Sequence, residues 1–313
     1  MALHPPIFPI DGPVMPEQRQ IGRGASIDLL RNRLDDATHQ WLIGPRRTGK
    51  TSVAKAVLAR LRADGGVALD IDMSKLSITT ELDLAGEIAR QAQAAHAGLP
   101  RVARRLTGLV RRRAGDAKRL GKTLEELGFG DDGEALAAVA ALLAEADDGS
   151  PGLATVLEAL SLHARATGRR SVILLDEVHL LASVDGAERE LARWARESDV
   201  PVVFTFAGSE ESAVRALREP GRPLAPIGEE LSLPDIATED WLHGLRRRFE
   251  EAAVTVKDAH LLSIVEASDN HPRRTMLICA RLHSSAEAAP DQTATDALVE
   301  LAIRDARGDR SWT

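Results

Sequence analysis

Eight residues, Gly44-Pro45-Arg46-Arg47-Thr48-Gly49-Lys50-Thr51, fit the spacing G-x-x-x-x-G-K-[ST]. That spacing suits phosphate. The glycines let the backbone turn back on itself, so that successive N–H groups and the positive end of a following helix aim at one spot where a nucleotide's β-phosphate can sit. Lys50 then reaches the β- and γ-phosphates as a point charge, and the Thr51 hydroxyl holds Mg²⁺. A second pair of reactive groups, Asp176 and Glu177, ends the apolar run Val172-Ile173-Leu174-Leu175. Beside a phosphate loop the aspartate holds Mg²⁺ through water, while the glutamate orients or deprotonates the water that attacks the γ-phosphate. Ser209 follows the next apolar run and can contact that water or the γ-phosphate; Thr205 is a weaker candidate for the same role.

These residues need rigid elements behind them. Trp41-Leu42-Ile43 reads as a short buried strand entering the loop, and Val53, Ala54, Val57, Leu58 and Leu61 recur at helical spacing after it. Gly65-Gly66 turns the chain into a second strand, Val67 to Asp72. The run 172–177 has the continuous apolar character of a parallel strand buried on both faces, and Val202 to Ala207 repeats it, closing at Gly208-Ser209. A shorter strand is expected over 230–233, ending at Pro234. Strands alternating with helices predict an α/β fold with a parallel, doubly wound sheet. From Thr238 onward the pattern is helical only, with helices over 238–252, 257–268, 272–287 and 293–307 forming a small all-α second domain.

The remaining stretches place limits on function. Residues 1–20 carry Pro5, Pro6, Pro9, Pro13 and Pro16 and read as an extended arm on the surface or disordered. Ile21-Gly22-Arg23 precedes a helix with Ile27, Leu30 and Leu34 on one face. Residues 73–170 show no convincing strand, which is long for a crossover. Within them a helix is expected over 134–146, and 101–122 holds nine Arg or Lys against one acid, Asp116, a net of +8 in a chain of net charge −7. Any basic site is therefore local. A single cysteine, Cys279, excludes an internal disulfide and suits a reducing compartment. The N-terminus resembles neither a signal peptide nor an anchor, and no apolar run approaches the ~18 residues that cross a bilayer. The expected location is cytoplasmic.

The motifs at 21–23, 44–52, 174–177, 208–209 and 270–274 (Asn-His-Pro-Arg-Arg) stand in the order found in AAA+ ATPases. They resemble most the branch joining origin-recognition initiators to the archaeal-type STAND ATPases. The resemblance implies a P-loop AAA+ five-stranded sheet in the order 5-1-4-3-2, sandwiched by helices, then a helical lid. It divides the chain into an arm at 1–20, a nucleotide-binding domain over 21–234 with a helical, basic insertion at about 97–150, and a lid over 235–313. ATP and Mg²⁺ are the implied cofactors. Gly22 and Arg23 are implied to lie near adenine and ribose, and Gly44, Pro45, Arg46, Arg47, Thr48, Gly49, Lys50, Thr51 and Ser52 to cradle the phosphates. Ser209 is similar to the first sensor, and Arg273, with Arg274 as the alternative, to the lid arginine that touches the γ-phosphate. Arg222, with Arg215 and Arg218 competing, sits where this branch carries an arginine that reaches a neighbouring subunit's nucleotide.

Origin-recognition proteins continue past the lid into a winged helix and STAND members carry long repeats, and neither is expected within these 313 residues. Two functions are therefore expected to compete. One is an ATPase that oligomerises into a ring or filament with ATP and acts on DNA or a DNA-bound partner. Its DNA contact would run through Arg104, Arg105, Arg111, Arg112 and Arg113, whose segment contains no aromatic to insert into a membrane or stack on bases. The other is an ATP-gated signalling switch that recruits a separate protein effector without nucleic acid. A solvated helix face is the plainer reading of the basic segment. A small-molecule kinase is disfavoured because the lid follows the last strand instead of interrupting the core.

Overall fold

The structure is a computed structural model that describes residues 7–10, 16–75, 78–96, 152–196, 202–310 and 312. Elements are numbered as they occur among those residues. By the density of its internal packing the chain divides into two compact units, one of 28–44 and 54–232, the other of 1–27, 45–53 and 233–313.

The first unit is built on strands β1 (Gln40–Ile43), β2 (Val67–Asp72), β3 (Ser171–Asp176), β4 (Val202–Gly208) and β5 (Glu229–Leu231). They form one parallel sheet in the order β2-β3-β4-β1-β5. This is the expected order 5-1-4-3-2 read from the other edge. The central strands β1, β3 and β4 are buried at every position, as continuous apolar runs predict. Around them lie most of α1 (Gly24–Asp35) and α2 (Lys50–Ala63), with α3 (Glu81–His96), α4 (Leu153–Thr167), α5 (Ala187–Arg196) and the short α6 (Glu211–Ala216). Trp41, Phe204 and Phe206 stack through the middle of the core, and the Trp41 indole donates to the Ile227 carbonyl at 2.6 Å. The last strand runs Glu229–Leu231, earlier than the expected 230–233. At the sheet edge it pairs only with β1 over Gln40, Trp41 and Leu42, so the partner's register sets its extent.

The second unit packs α7 (Thr238–Glu251), α8 (Asp258–Ala267), α9 (Pro272–Glu287) and α10 (Asp296–Arg307) around Trp241, Leu245, Phe249, Leu261, Ile264, Leu277, Ile278 and Leu282. Residues 7–10, 16–27 and the loop residues 45–53 group with these helices, a different division from the linear one expected at residue 234. Within the arm expected on the surface or disordered, Phe8 is buried, its ring 4.6 Å from that of Phe249 and 5.7 Å from that of His283. Arg248, itself buried, donates to the carbonyls of Ile7 and of Arg19, the last residue of a 3₁₀ turn over Glu17–Arg19. Arg19 further pairs with Glu251 at 2.9 Å. The helix expected over 134–146 and the basic stretch 101–122, with Arg104, Arg105, Arg111, Arg112 and Arg113, lie outside the described residues. No described helix is long and apolar enough to cross a membrane.

Candidate nucleotide site

The loop leaves β1 at Gly44 and enters α2 at Lys50. Gly44 and Gly49 take φ of 154° and 100°, and Arg47 takes 64°, so the chain reverses within a few residues before helical geometry begins. Thr48 Oγ1 and Lys50 Nζ both donate to the Pro45 carbonyl, at 3.0 and 2.6 Å. Lys50 is buried, folded over the loop it belongs to. A buried ammonium favours an anion beside it. This is a cradle that fits a phosphate.

The loop is held from three sides within its unit. Arg23, 5% exposed, donates to the Thr48 carbonyl at 2.8 Å and to the Pro234 carbonyl at 2.6 Å. Burial lowers its pKa, and Asp235 opposes that shift. Gln20 Nε2 donates to the Ser52 carbonyl at 3.0 Å, and His271 Nε2 lies 3.2 Å from the Arg46 carbonyl. Gly22 has φ of 63°, and a β-carbon there would meet Ile236 Cγ2 at 2.5 Å, so only glycine permits this approach.

Arg273 and Arg274 separate clearly. Arg273 is buried near the start of α9 and its Nε donates to the Ile10 carbonyl at 3.4 Å. Arg274 is committed elsewhere, donating to the Trp312 carbonyl at 3.0 Å and to Asp269 at 3.2 Å, with its guanidinium over the Trp312 ring. Asn270, with φ of 57°, donates to the Ile236 carbonyl at 2.8 Å and accepts from the Trp241 indole.

In the sheet unit, Asp176 ends β3 and is buried, while Glu177 follows in the left-handed region at φ 53°, ψ 46°. The Glu177 N–H donates to Asp176 Oδ1 at 3.1 Å. Ser209, just past β4, places its hydroxyl 2.9 Å from both Glu177 carboxylate oxygens. His179 Nδ1 stands 3.4 Å from the same carboxylate. Thr205 is paired in register with Leu174 and Gln40, well back from the strand ends where Asp176 and Gly208 lie, and its hydroxyl bonds nothing among the described residues. Asp72, in register with Asp176 at the end of β2, has a lowered pKa: burial acts to raise it, but hydrogen bonds from Lys75 and Ser74 prevail.

Of the arginines expected to compete for a neighbour, Arg218 lies over Trp41 and pairs with Glu230 at 3.2 Å, and Arg215 reaches Glu230 at 3.4 Å. Arg222 pairs with Glu188 at 2.6 Å and stays 42% exposed at the side chain. Gln20, Asn270, His271, His179 and Glu188 escape sequence reasoning. Asn270-His271, inside a motif already noted and before a proline, carried the only usable signal.

A family model described as AAA domain matches residues 33–215. No curated protein matches the chain by sequence. Among solved structures, a Walker-type ATPase of Pyrococcus abyssi superposes with a TM-score of 0.63 at 17% identity, over 96% of this chain and 77% of its own. The Aeropyrum pernix ORC2 protein, in ADPNP and ADP complexes, gives 0.60 at 18% over 95% of this chain and 70% of its own. The Thermotoga maritima RuvB Holliday junction branch migration motor gives 0.52 at 14% over 96% and 74%. At these identities the likeness is one of fold.

Proposed function

The chain belongs to the AAA domain family and is a P-loop ATPase, and from that premise we propose that it hydrolyses ATP with Mg²⁺ and uses the nucleotide to assemble and act on DNA or a DNA-bound partner. The observation that carries the first part is the pairing of the Glu177 carboxylate with the Ser209 hydroxyl, next to a buried Asp176 at a strand end. Lys50 and the loop N–H groups bind the phosphates, and Thr51 and Asp176 hold the cation. When bound, Mg²⁺ supplies Lewis-acid neutralisation of phosphate charge. Glu177 orients the attacking water and takes its proton, Ser209 fixes the carboxylate that does so, and Arg273 meets the terminal phosphate from α9.

The second part is supported by the fold neighbours ORC2 and the RuvB Holliday junction branch migration motor, and by the +8 segment at 101–122. Arg104, Arg105, Arg111, Arg112 and Arg113 are the proposed phosphate contacts there. The switch that recruits a protein effector is the rival.

Two substitutions test the catalytic assignment. Lys50→Ala should lose ATP binding, because the lysine supplies phosphate affinity. Glu177→Gln should bind ATP and hydrolyse it at least ~100-fold more slowly, because the carboxylate acts on the attacking water. Titration with a fluorescent ATP analogue and steady-state phosphate release separate the two defects. Equal loss of binding in both variants would end the assignment.

A further inference from the structure

In Asn270-His271-Pro272-Arg273-Arg274 the His271 side chain touches the phosphate loop, and its two ring nitrogens have partners of opposite kind. Nε2 lies 3.2 Å from the Arg46 carbonyl, and Nδ1 faces the Arg274 N–H at 3.5 Å as the N-cap of α9. A carbonyl only accepts and a backbone N–H only donates, so both contacts are satisfied by one form of the ring, neutral with its proton on Nε2. We propose that neutral His271 is a positioning residue that ties the phosphate loop to the helix carrying Arg273, and that protonation of the ring unfastens the N-terminus of that helix. A second proton on Nδ1 turns an acceptor toward a donor, which breaks the cap and puts a positive charge at the N-terminal, positive end of a 16-residue helix.

The surroundings favour the neutral form. Burial pushes the His271 pKa below its ordinary value of 6.5; the bond to the Arg46 carbonyl works the other way, and the two cationic groups that act on the ring, Arg274 on its own helix and Arg47 on the loop, add to the lowering. Because the folded value lies below 6.5, the unfolded chain takes up the proton first. The tie is whole above about 6.5 and is lost as pH falls through the lowered folded value. Its effect on hydrolysis rests on the reading of this loop as the nucleotide site. The tie itself does not, because Arg46, His271 and Arg274 meet within one compact unit of the protein alone.

The informative variant is His271→Asn in the full chain. Asparagine keeps a strong N-cap acceptor but is too short to reach the Arg46 carbonyl, so it removes the tie and spares the helix. In nucleotide-free protein above pH 7, hydrogen exchange of the 45–53 loop should speed up roughly fivefold, the worth of one hydrogen bond of about 1 kcal/mol, with exchange in α7 to α10 unchanged. In phosphate release against pH, the wild type should lose activity on the acid side and the variant should lose that limb, starting from a lower plateau. Loop exchange equal to wild type overturns the proposal, as does an identical acid limb in the two proteins. So does faster exchange spread evenly through α7 to α10 with a lowered melting temperature, which would make His271 only a structural cap. If the wild type hydrolyses no ATP, the exchange experiment alone decides the tie, and the nucleotide reading fails separately.

Discussion

Glu177 adopts a left-handed backbone conformation, which a residue with a β-carbon does at a cost on the order of 1–3 kcal/mol. Such a residue persists only where its surroundings hold it, and here its N–H is fixed by Asp176 and its carboxylate by Ser209. A hydroxyl has one proton, so Ser209 donates to one oxygen at a time and leaves the other open to accept from water. Ser209→Ala should therefore slow phosphate release about tenfold, consistent with a hydrogen bond to a charged group worth ~1.5 kcal/mol or more, while affinity for a fluorescent ATP analogue stays within twofold. A variant that hydrolyses at the wild-type rate would remove Ser209 from the reaction. The placement of Asp176, Glu177 and Ser209 at strand ends was legible in the sequence, because the apolar runs before them mark buried strands. The turn of Glu177 was not, since a left-handed glutamate leaves no mark on composition or periodicity. Asn270 is the instructive contrast: asparagine tolerates φ of 57°, so its type hints at the conformation.

Among the elements, helices and central strands were the most legible and the N-terminal segment the least. The periodicity over 238–252 and 272–287 predicts α7 and α9 to within a residue at each end, because their buried faces repeat at 3.6 residues. Five prolines before residue 17 predict extended backbone, and extended backbone does not reveal whether its side chains are wet. Phe8 decides the matter by packing on Phe249, and the Arg248 guanidinium secures the flanking carbonyls while burial lowers its pKa to about 10. At neutral pH it remains charged in folded and unfolded chains alike, so this shift gives no pH dependence there. Phe8→Ala should destabilise the helical unit by about 3 kcal/mol, the usual cost of emptying a buried aromatic site, read as a clear fall in melting temperature. A residue lying on a wet surface would change stability by no more than ~0.5 kcal/mol, and that outcome would return the segment to the solvent.

For the molecule as a whole, the question is whether one chain is the working unit. The family resemblance and the phosphate motifs made the ATPase core legible, but contacts with another copy do not alter the periodicity of the chain that makes them. The basic segment at 101–122 lies outside the described residues. Arg222 offers the point of entry. Its partner Glu188, whose own side chain is largely covered, holds it at 2.6 Å while much of the Arg222 side chain stays exposed. A nucleotide on a second copy can therefore reach the guanidinium, in exchange for its pair with Glu188. Arg218, stacked over Trp41 and paired with Glu230, is held more firmly. Arg222→Ala should lower the rate by as much as ~10³ with nucleotide binding retained, as for an arginine given in trans, and the wild-type rate per chain should rise with protein concentration. Sizing by light scattering with ADP, ATP and ATP plus duplex DNA completes the test. Assembly with ATP alone favours a ring or filament built head to tail, and further growth on DNA that weakens steeply with salt favours the DNA reading over the protein-effector switch. Full activity in a strictly monomeric protein, unchanged by Arg222→Ala, would leave Arg222 as no more than a surface partner of Glu188.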